Sequence, residues 1–493
     1  MQLLMILAIF VPMIVGAALP FIKINEKETK LKIVGATIAF DVLLVLILVL
    51  TGGKTFTLFK MSDILCVKLE IDNVSKLFMF IDALGFSCAG FFAFKYLENE
   101  EKEGSFKEEM FYAFFLLTLG SLVGMAMSKN LIAMYFFFEM ITLMSMPLVL
   151  FEKTKESINA ALKYLFYSIA GAFLALFLIF VLAKYTTTLD FVKGGSLNMA
   201  LVKGHEKLIL GALFVGIIGF GAKAGMYPLH GWLPTAHPVA PAPASAVLSG
   251  VITKAGVLAI LRIIYFVSGT SIIAGTWVQV GWLILSLITV FMGSMMAYRE
   301  KVLKKRLAYS SVSQISYVLF GLFLLNEIGL KGALMQIVFH ATVKVCLFLF
   351  AGSIIFNTSK HNVDELTGYG KVMPITFMCF TLASLSLIGI PPFAGFVSKW
   401  YLASGALNSP LSAFNYLGPT VLLISALLTA GYLLPITIKG FFPGKDFKDK
   451  LKFNDGDKLM YIPLIILASL SLIMGIFAGN LEPLFDAIVK VIL

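Results

Sequence analysis

The chain has 493 residues, of which 59% are hydrophobic and 14% charged, with a formal net charge of +11 and a mean hydropathy of +0.93. A soluble domain of this length would carry far more charge on its surface, so a soluble enzyme or regulator is excluded. The positive charge sits mostly in loops, where it sets membrane topology and does not mark a nucleic-acid partner.

A crossing helix needs about 20 mainly apolar residues, and the sequence predicts 14 such segments. The first, 2–20, lacks a basic leading region and a small-residue cleavage site, so it reads as a retained helix and not as a signal peptide. The second, 31–51, carries Asp41, and the third, 75–96, carries Asp82. Both acids are expected to contact partner subunits or to cap helices. Between these segments, 52–74 alternates weakly through Phe56, Leu58 and Lys60, then Leu65, Val67, Leu69 and Ile71. That pattern predicts a short hairpin on the outer surface. Segments 110–127, 129–151 (with Glu139), 161–185, 207–226 (with Lys223) and 244–267 (with Lys254) follow. Then come 274–297, 302–326, 331–356 (with His340 and Lys344), 373–407 (with Lys399), 414–438 and 459–479. No polar stretch is long enough for a soluble domain. The tail Leu481–Leu493 is mildly amphipathic and suited only to local packing.

Two segments look interrupted. Gly219 to Pro234 clusters Gly and Pro around Lys223, and Gly389 to Lys399 does so before Lys399. Proline removes an amide donor and glycine relaxes the backbone. Irregular backbone at membrane depth is tolerated only where it is buried in protein or lines a cavity. Broken helices at corresponding places in two halves point to a transport site between repeats. The two lysines fall five helices apart, in segments 7 and 12, and an odd offset inverts one unit against the other. The expected fold is therefore an all-α polytopic membrane protein of about 14 helices. It has two inverted five-helix repeats, helices 4–8 and 9–13, with helices 7 and 12 broken. The corresponding division is 1–109, 110–267, 274–440 and 441–493.

Loops after odd-numbered helices hold Lys23, Lys27, Lys30, Lys32, Lys102, Lys107, Lys153, Lys155, Arg299, Lys301, Lys304, Lys305, Arg306, Lys439, Lys445, Lys448, Lys450, Lys452 and Lys458. Those on the other side hold fewer, which places both termini outside. Cys66, Cys88, Cys346 and Cys379 lack ligand spacing and read as small core residues. No haem or iron–sulfur signature is present, and neither cofactor nor metal is expected. Segments rich in lysine and poor in nucleophiles suit charge relay and offer no site for bond chemistry.

Charge at bilayer depth is expensive and marks ion paths and proton relays. Glu139, Lys223, Lys254, His340, Lys344 and Lys399 form a file of such groups. Glu139 and Lys223 make sense as a pair. Buried singly, each would shed its charge, and together they hold each other charged. The alternative is a static ion pair fixing helix register. Lys254 and Lys399 have no evident acid partner and suit reversible protonation, against the alternative of lysines snorkelling from helix ends. His340 and Lys344 lie four apart, on one helix face, and histidine relays protons in either direction. His230 and His237 flank the first break, either lining an entry to the file or tying down the loop. Ser310, Ser311, Ser313 and Gln314 either hold ordered water or bond helix to helix.

Four stretches carry a family resemblance: Phe136-Phe-Phe-Glu139; Lys223 through Pro234 with Ala236-His237-Pro238; Lys305 through Gln314; and Gly389 through Gly395 with Lys399. Over residues 70 to 440 the chain resembles the antiporter-like proton-translocating subunits shared by respiratory complex I, Mrp-type sodium/proton antiporters and membrane-bound hydrogenases. The resemblance implies 14 helices and two half-channels joined by a central hydrophilic axis. It gives Glu139, Lys223, Lys254, His340 and Lys399 as the functional residues of helices 5, 7, 8, 11 and 12, with Lys344 one turn beyond the histidine. Some relatives carry Glu at the position of Lys399. The short tail departs from the complex I member that has a long lateral helix, and helix 10 lacks an acid opposite Lys399. The implied partners are further membrane subunits, lipid, and protons or sodium. The implied place is a prokaryotic cell membrane. The implied role is ion translocation within an energy-converting redox complex, with a non-redox Mrp antiporter as the alternative. Loops rich in Lys and Glu resemble hyperthermophile usage, which adds archaeal hydrogenases and sulfur reductases to the candidate parents.

Overall fold

A computed structural model describes the chain except residues 23–26, 63–64, 100–106 and 445–453. Lys23, Lys102, Lys445, Lys448, Lys450 and Lys452 therefore lie outside the described residues. The long helices are α1 (Gln2–Ala18), α2 (Lys27–Thr51), α3 (Asn73–Tyr96), α4 (Glu108–Ala126), α5 (Leu131–Val149) and α6 (Lys155–Tyr185). Next come α7a (Glu206–Ala224) and α7b (Leu233–Val239), then α8 (Ala242–Ser268). After it follow α9 (Trp277–Arg299), α10 (Leu303–Phe323), α11 (Glu327–Thr358), α12a (Pro374–Ile388), α12b (Ala394–Leu407), α13 (Ser412–Phe441), α14 (Lys458–Ile476) and α15 (Ala478–Ile492).

Among the described residues, eleven helices are long and apolar enough to cross a membrane. The short α1, the polar α10 and the broken α12 account for the remaining three expected segments. The predicted hairpin is present: β1 (Gly53–Lys60) pairs antiparallel with β2 (Cys66–Ile71). All four cysteines are free and buried.

Local sequence sets the helix ends. Asp72, Asn130, Thr154 and Asn326 each accept a backbone N–H from the first turn of α3, α5, α6 and α11, the usual service of a short polar side chain at that position. The apolar segments fall short of the helices at several ends. Helix α6 begins at Lys155, not near 161, and α11 runs from Glu327 to Thr358. Polar end turns are helical here because capping and packing decide them, not hydropathy.

The layering identifies the centre. The membrane-length windows of α8 and α11 are wholly buried inside the chain, whereas those of α2, α6 and α14 are 39% buried. The other helices therefore form a jacket around α8 and α11. Helices α6 and α7a meet backbone to backbone. A Cβ on Gly219 would lie 2.5 Å from the Gly171 carbonyl oxygen, and one on Gly171 equally close to that of Gly219. Small residues permit such approach between membrane helices.

At one end of this core, Arg262 of α8 grips Asp72 through two hydrogen bonds of 2.5 and 2.8 Å. Its guanidinium also lies about 5 Å from the Phe191 and Phe266 rings. Burial raises the Asp72 carboxyl, but the Arg262 charge and the hydrogen bonds from Arg262 and Ser75 outweigh it and hold the group well below the usual carboxylate range. A depressed folded-state pKa means that the pair stabilises above the ordinary aspartate value of about 3.9 and loses that contribution as pH falls. Asp72→Asn is expected to destabilise by about 3 kcal/mol, the lower end for a broken buried pair because Asp72 keeps some exposure. Thermal melting of the solubilised protein at neutral pH checks this, and an unchanged midpoint would contradict it.

Candidate functional site

The two breaks are built alike. Helix α7a ends on Gly225 (φ +82°) and α12a ends on Gly389 (φ +93°). Both caps are left-handed, a conformation glycine enters without steric penalty. A cis peptide to proline follows each cap, at Tyr227–Pro228 and at Pro391–Pro392. Lys223 stands two residues before the first cap, at the end of α7a. Lys399 stands beyond the second break, on α12b, and reaches back. Its Nζ donates to the carbonyls of Leu387 (2.5 Å) and Ile388 (2.9 Å). Leu387 holds the place, relative to its glycine, that Lys223 holds in the first half. Thus Lys223 is carried on the last turn of one half-helix, whereas the Lys399 ammonium binds the C-terminal carbonyls of the other from beyond the break. Unpaired carbonyls there favour a cation.

Lys223 is fully buried. Its Nζ donates to the carbonyl of Phe138 at 2.5 Å and sits 3.7 Å from the centre of that ring. The expected direct pair with Glu139 is not formed. Oε1 of Glu139 is buried without a hydrogen-bond partner, and the two charges act on each other only through space. The reason is local. Lys223 reaches α5 at the main-chain carbonyl one residue before the acid, so the ammonium is held while the carboxylate stays unengaged.

Lys254 lies in α8 immediately after a π-helical turn, Leu248–Ile252. Such turns widen a helix by one residue and recur at functional sites. The Lys254 ammonium folds back onto the Ser249 carbonyl at 2.6 Å, while Ser249 Oγ meets Ser311 of α10 at 2.6 Å. Nearby, α8 presses on the end of α7a, since a Cβ on Gly256 would lie 2.6 Å from the Phe220 carbonyl oxygen.

On α11, Lys344 donates to the Leu307 carbonyl of α10 at 3.0 Å and to Ser310 Oγ. His340 is buried with both ring nitrogens unpartnered. It stands one helical turn from Lys344 on the same face of α11. His237 is fully buried, stacks on Phe348 of α11 at 4.5 Å, and feels the charge of Lys344. His230 instead lies between α7a and α7b, stacked on Tyr227 at 5.8 Å. The two flanking histidines therefore separate, one inside the core and one in the linker.

Among the described residues no carboxylate bonds Lys254 or Lys399, and their ammonium groups end on the carbonyls of Ser249, Leu387 and Ile388. The serines of α10 bond helix to helix. Ser313 meets Ser294 through a contact of 2.8 Å, and Ser294 meets Ser425 at 2.6 Å. Gln336 donates to Gln314 Oε1 at 3.1 Å, and Ser398, next to Lys399, donates to Gln336 Oε1 at 2.5 Å. Gln336, Ser398 and Tyr317 were not singled out in the sequence. The Tyr317 ring lies 5.1 Å from the Lys399 ammonium, and one sequence offers no signal that would pick these three from other polar residues on polar helix faces. Asp41 and Asp82 neither cap helices nor face outward, contrary to expectation. They are 1% and 3% exposed within α2 and α3, because the jacket helices pack those faces inward. The donors along the file are amines, imidazoles, amides and hydroxyls, and among the described residues no three His, Cys, Asp or Glu side chains gather as a metal site.

Residues 128–429 match the family described as NADH:quinone oxidoreductase/Mrp antiporter, transmembrane. The chain belongs to that family. It is a multi-pass membrane protein, and the match spans both breaks and every residue of the file. Subunit N of NADH-quinone oxidoreductase from Desulforudis audaxviator is 37% identical over 68% of this chain. The chain spans less than two thirds of that relative, 65% of its length. A Na(+)/H(+) antiporter subunit from Alkalihalophilus pseudofirmus is 30% identical over 80% of this chain and 77% of the relative's length. A chain of the membrane-bound sulfane sulfur reductase, an archaeal respiratory membrane complex, superposes with a TM-score of 0.85 at 23% identity, over 99% of this chain and 97% of that one. That likeness establishes the shared fold.

Proposed function

We propose that this family member moves protons through a larger energy-converting redox complex, along the file Glu139, Lys223, Lys254, His340, Lys344 and Lys399. One observation carries the reading. The four lysine ammonium groups are held by main-chain carbonyls and hydroxyls, and among the described residues no carboxylate bonds any of them. A carbonyl accepts from an ammonium and, more weakly, from a neutral amine, so each lysine can gain or lose a proton without breaking an ion pair. The matched glycine caps support dividing the family region into inverted repeats at 110–267 and 274–440, flanked by 1–109 and 441–493. Other membrane subunits, further antiporter-like ones among them, are the partners. The chain sits in a prokaryotic cell membrane with both termini outside.

Lys344→Met tests the middle of the file. Methionine keeps most of the side chain's length while removing the charge and the bonds to Leu307 and Ser310. Proton uptake by inverted vesicles, driven by the parent complex and normalised to assembled protein, is expected to fall about tenfold or more. An unaltered rate would remove Lys344 from the path. The second reading, a component of a non-redox sodium/proton antiporter, is favoured by the fuller coverage of the Na(+)/H(+) antiporter relative, 77% against 65%. Sodium-driven proton movement persisting without electron transfer would support it.

A further inference from the structure

Asp41 and Asp82 take no part in the file, yet both are intramembrane carboxylates, which are costly and seldom idle. Both oxygens of Asp41 are buried without a hydrogen-bond partner. Asp82 is 3% exposed, forms no ion pair or hydrogen bond among the described residues, and lines a cavity of about 10 Å³, the lower limit of space for one water. The other walls are apolar: Phe78, Leu122 of α4, and Val251, Ala255 and Leu258 of α8. Ala255 adjoins Lys254 in sequence. One turn from Asp82, a Cβ on Gly85 would lie 2.5 Å from Val251 and 3.6 Å from Val345, the neighbour of Lys344. Asp82 thus faces the central helices across one residue's thickness.

Asp41 adjoins Val42 and Asp82 adjoins Ala83, and Val42 and Ala83 line one groove where α2, α3 and α14 meet. The surrounding helices also bring Glu108 and Tyr112 on α4, Lys254 on α8, His340 and Lys344 on α11, and Lys458 on α14. None of these bonds to either carboxylate. Two ionised carboxylates in such a place, without cation or donor, would carry an uncompensated desolvation cost.

We infer that Asp82 is the centre of a second proton-binding site, in the cavity between α3, α4 and α8, open towards the Lys254 segment, with Asp41 on the adjoining α2 as its neighbouring carboxyl. The Asp82 carboxyl carries a proton, and that proton exchanges with water through the cavity. A sodium ion is the poorer occupant. It needs several oxygen ligands, as other hard cations do, and the cavity offers one carboxylate among apolar walls. The link to transport rests on the function proposed above, but proton occupancy does not.

Infrared spectroscopy of the assembled complex at neutral pH separates these, since a carboxylic acid has a C=O stretch distinct from that of carboxylates. A protonated-carboxyl band is expected that shifts on exchange into deuterium oxide, is lost in Asp82→Asn, is retained at a shifted position in Asp82→Glu, and persists in Glu139→Gln. The exchange measurement needs no variant, so it stands even if Asp82→Asn assembles poorly. A band that does not shift in deuterium oxide would mean a sealed structural carboxyl and overturn the inference. So would a spectrum unaffected by Asp82→Asn, or loss of the band on adding sodium at fixed pH, which would make the site a cation site. Loss of transport in Glu139→Gln with this band intact would leave the inference standing while testing the main file alone.

Discussion

Glu139→Ala is expected to abolish coupled ion transport, reducing it on the order of a hundredfold, the scale on which removal of a proton-transfer group acts. The structure also revises the cost to folding. A broken buried ion pair would destabilise by about 3–5 kcal/mol, but Glu139 is not bonded to Lys223. Lys223 keeps its carbonyl on Phe138 and its place over that ring when the acid is gone. Assembly should therefore be nearly unchanged, and the loss should be one of transport. Glu139→Gln, which keeps the shape and cannot ionise, should fail as Ala does. The measurement is proton or sodium uptake by inverted vesicles per assembled complex. Full uptake with either variant would remove Glu139 from the path. Rescue by Gln alone would mean that its shape matters and its proton does not.

This revision marks what one sequence conveys and what it withholds. The breaks were legible because Gly225 and Gly389 sit in clusters of Pro and Gly beside a lysine, where chemistry and backbone speak together. The intramembrane charges were legible because Lys and Glu are conspicuous in apolar runs. The acceptors were not. The ammonium groups of Lys223, Lys254, Lys344 and Lys399 end on main-chain carbonyls, which every residue carries and no sequence pattern singles out. The π-helical turn before Lys254 was equally hidden, since Leu248–Ile252 reads as ordinary helix and the widening depends on packing against α10 and α11. Asp41 and Asp82 were misplaced because hydropathy reports how apolar a helix is. It does not report which side of the helix meets the core, and jacket helices turn one face each way.

Lys399→Arg is expected to block pumping nearly completely, whereas Lys399→Glu should retain part of it. The Lys399 ammonium caps α12a through Leu387 and Ile388 and lies near the Tyr317 ring. A guanidinium makes those same contacts and remains charged throughout the accessible pH range. Arginine therefore preserves the cap, the helix-end electrostatics and the fold, and removes only the ability to release a proton. Glutamate is the converse. It titrates, but as a carboxylate it faces two carbonyl oxygens with nothing to donate, and as an acid it supplies one O–H where the ammonium supplies three. Its pumping should be partial for that reason, with the proton-bound form favoured at this cap. A merely structural lysine predicts the reverse order, since a cap needs a permanent donor and arginine is the better one. Uptake in inverted vesicles, normalised to assembled complex, distinguishes the two. If the arginine variant pumps as well as the native protein, Lys399 is a fixed positive charge at a helix end, and the last proton carrier of the second half lies elsewhere on α11 or α12b.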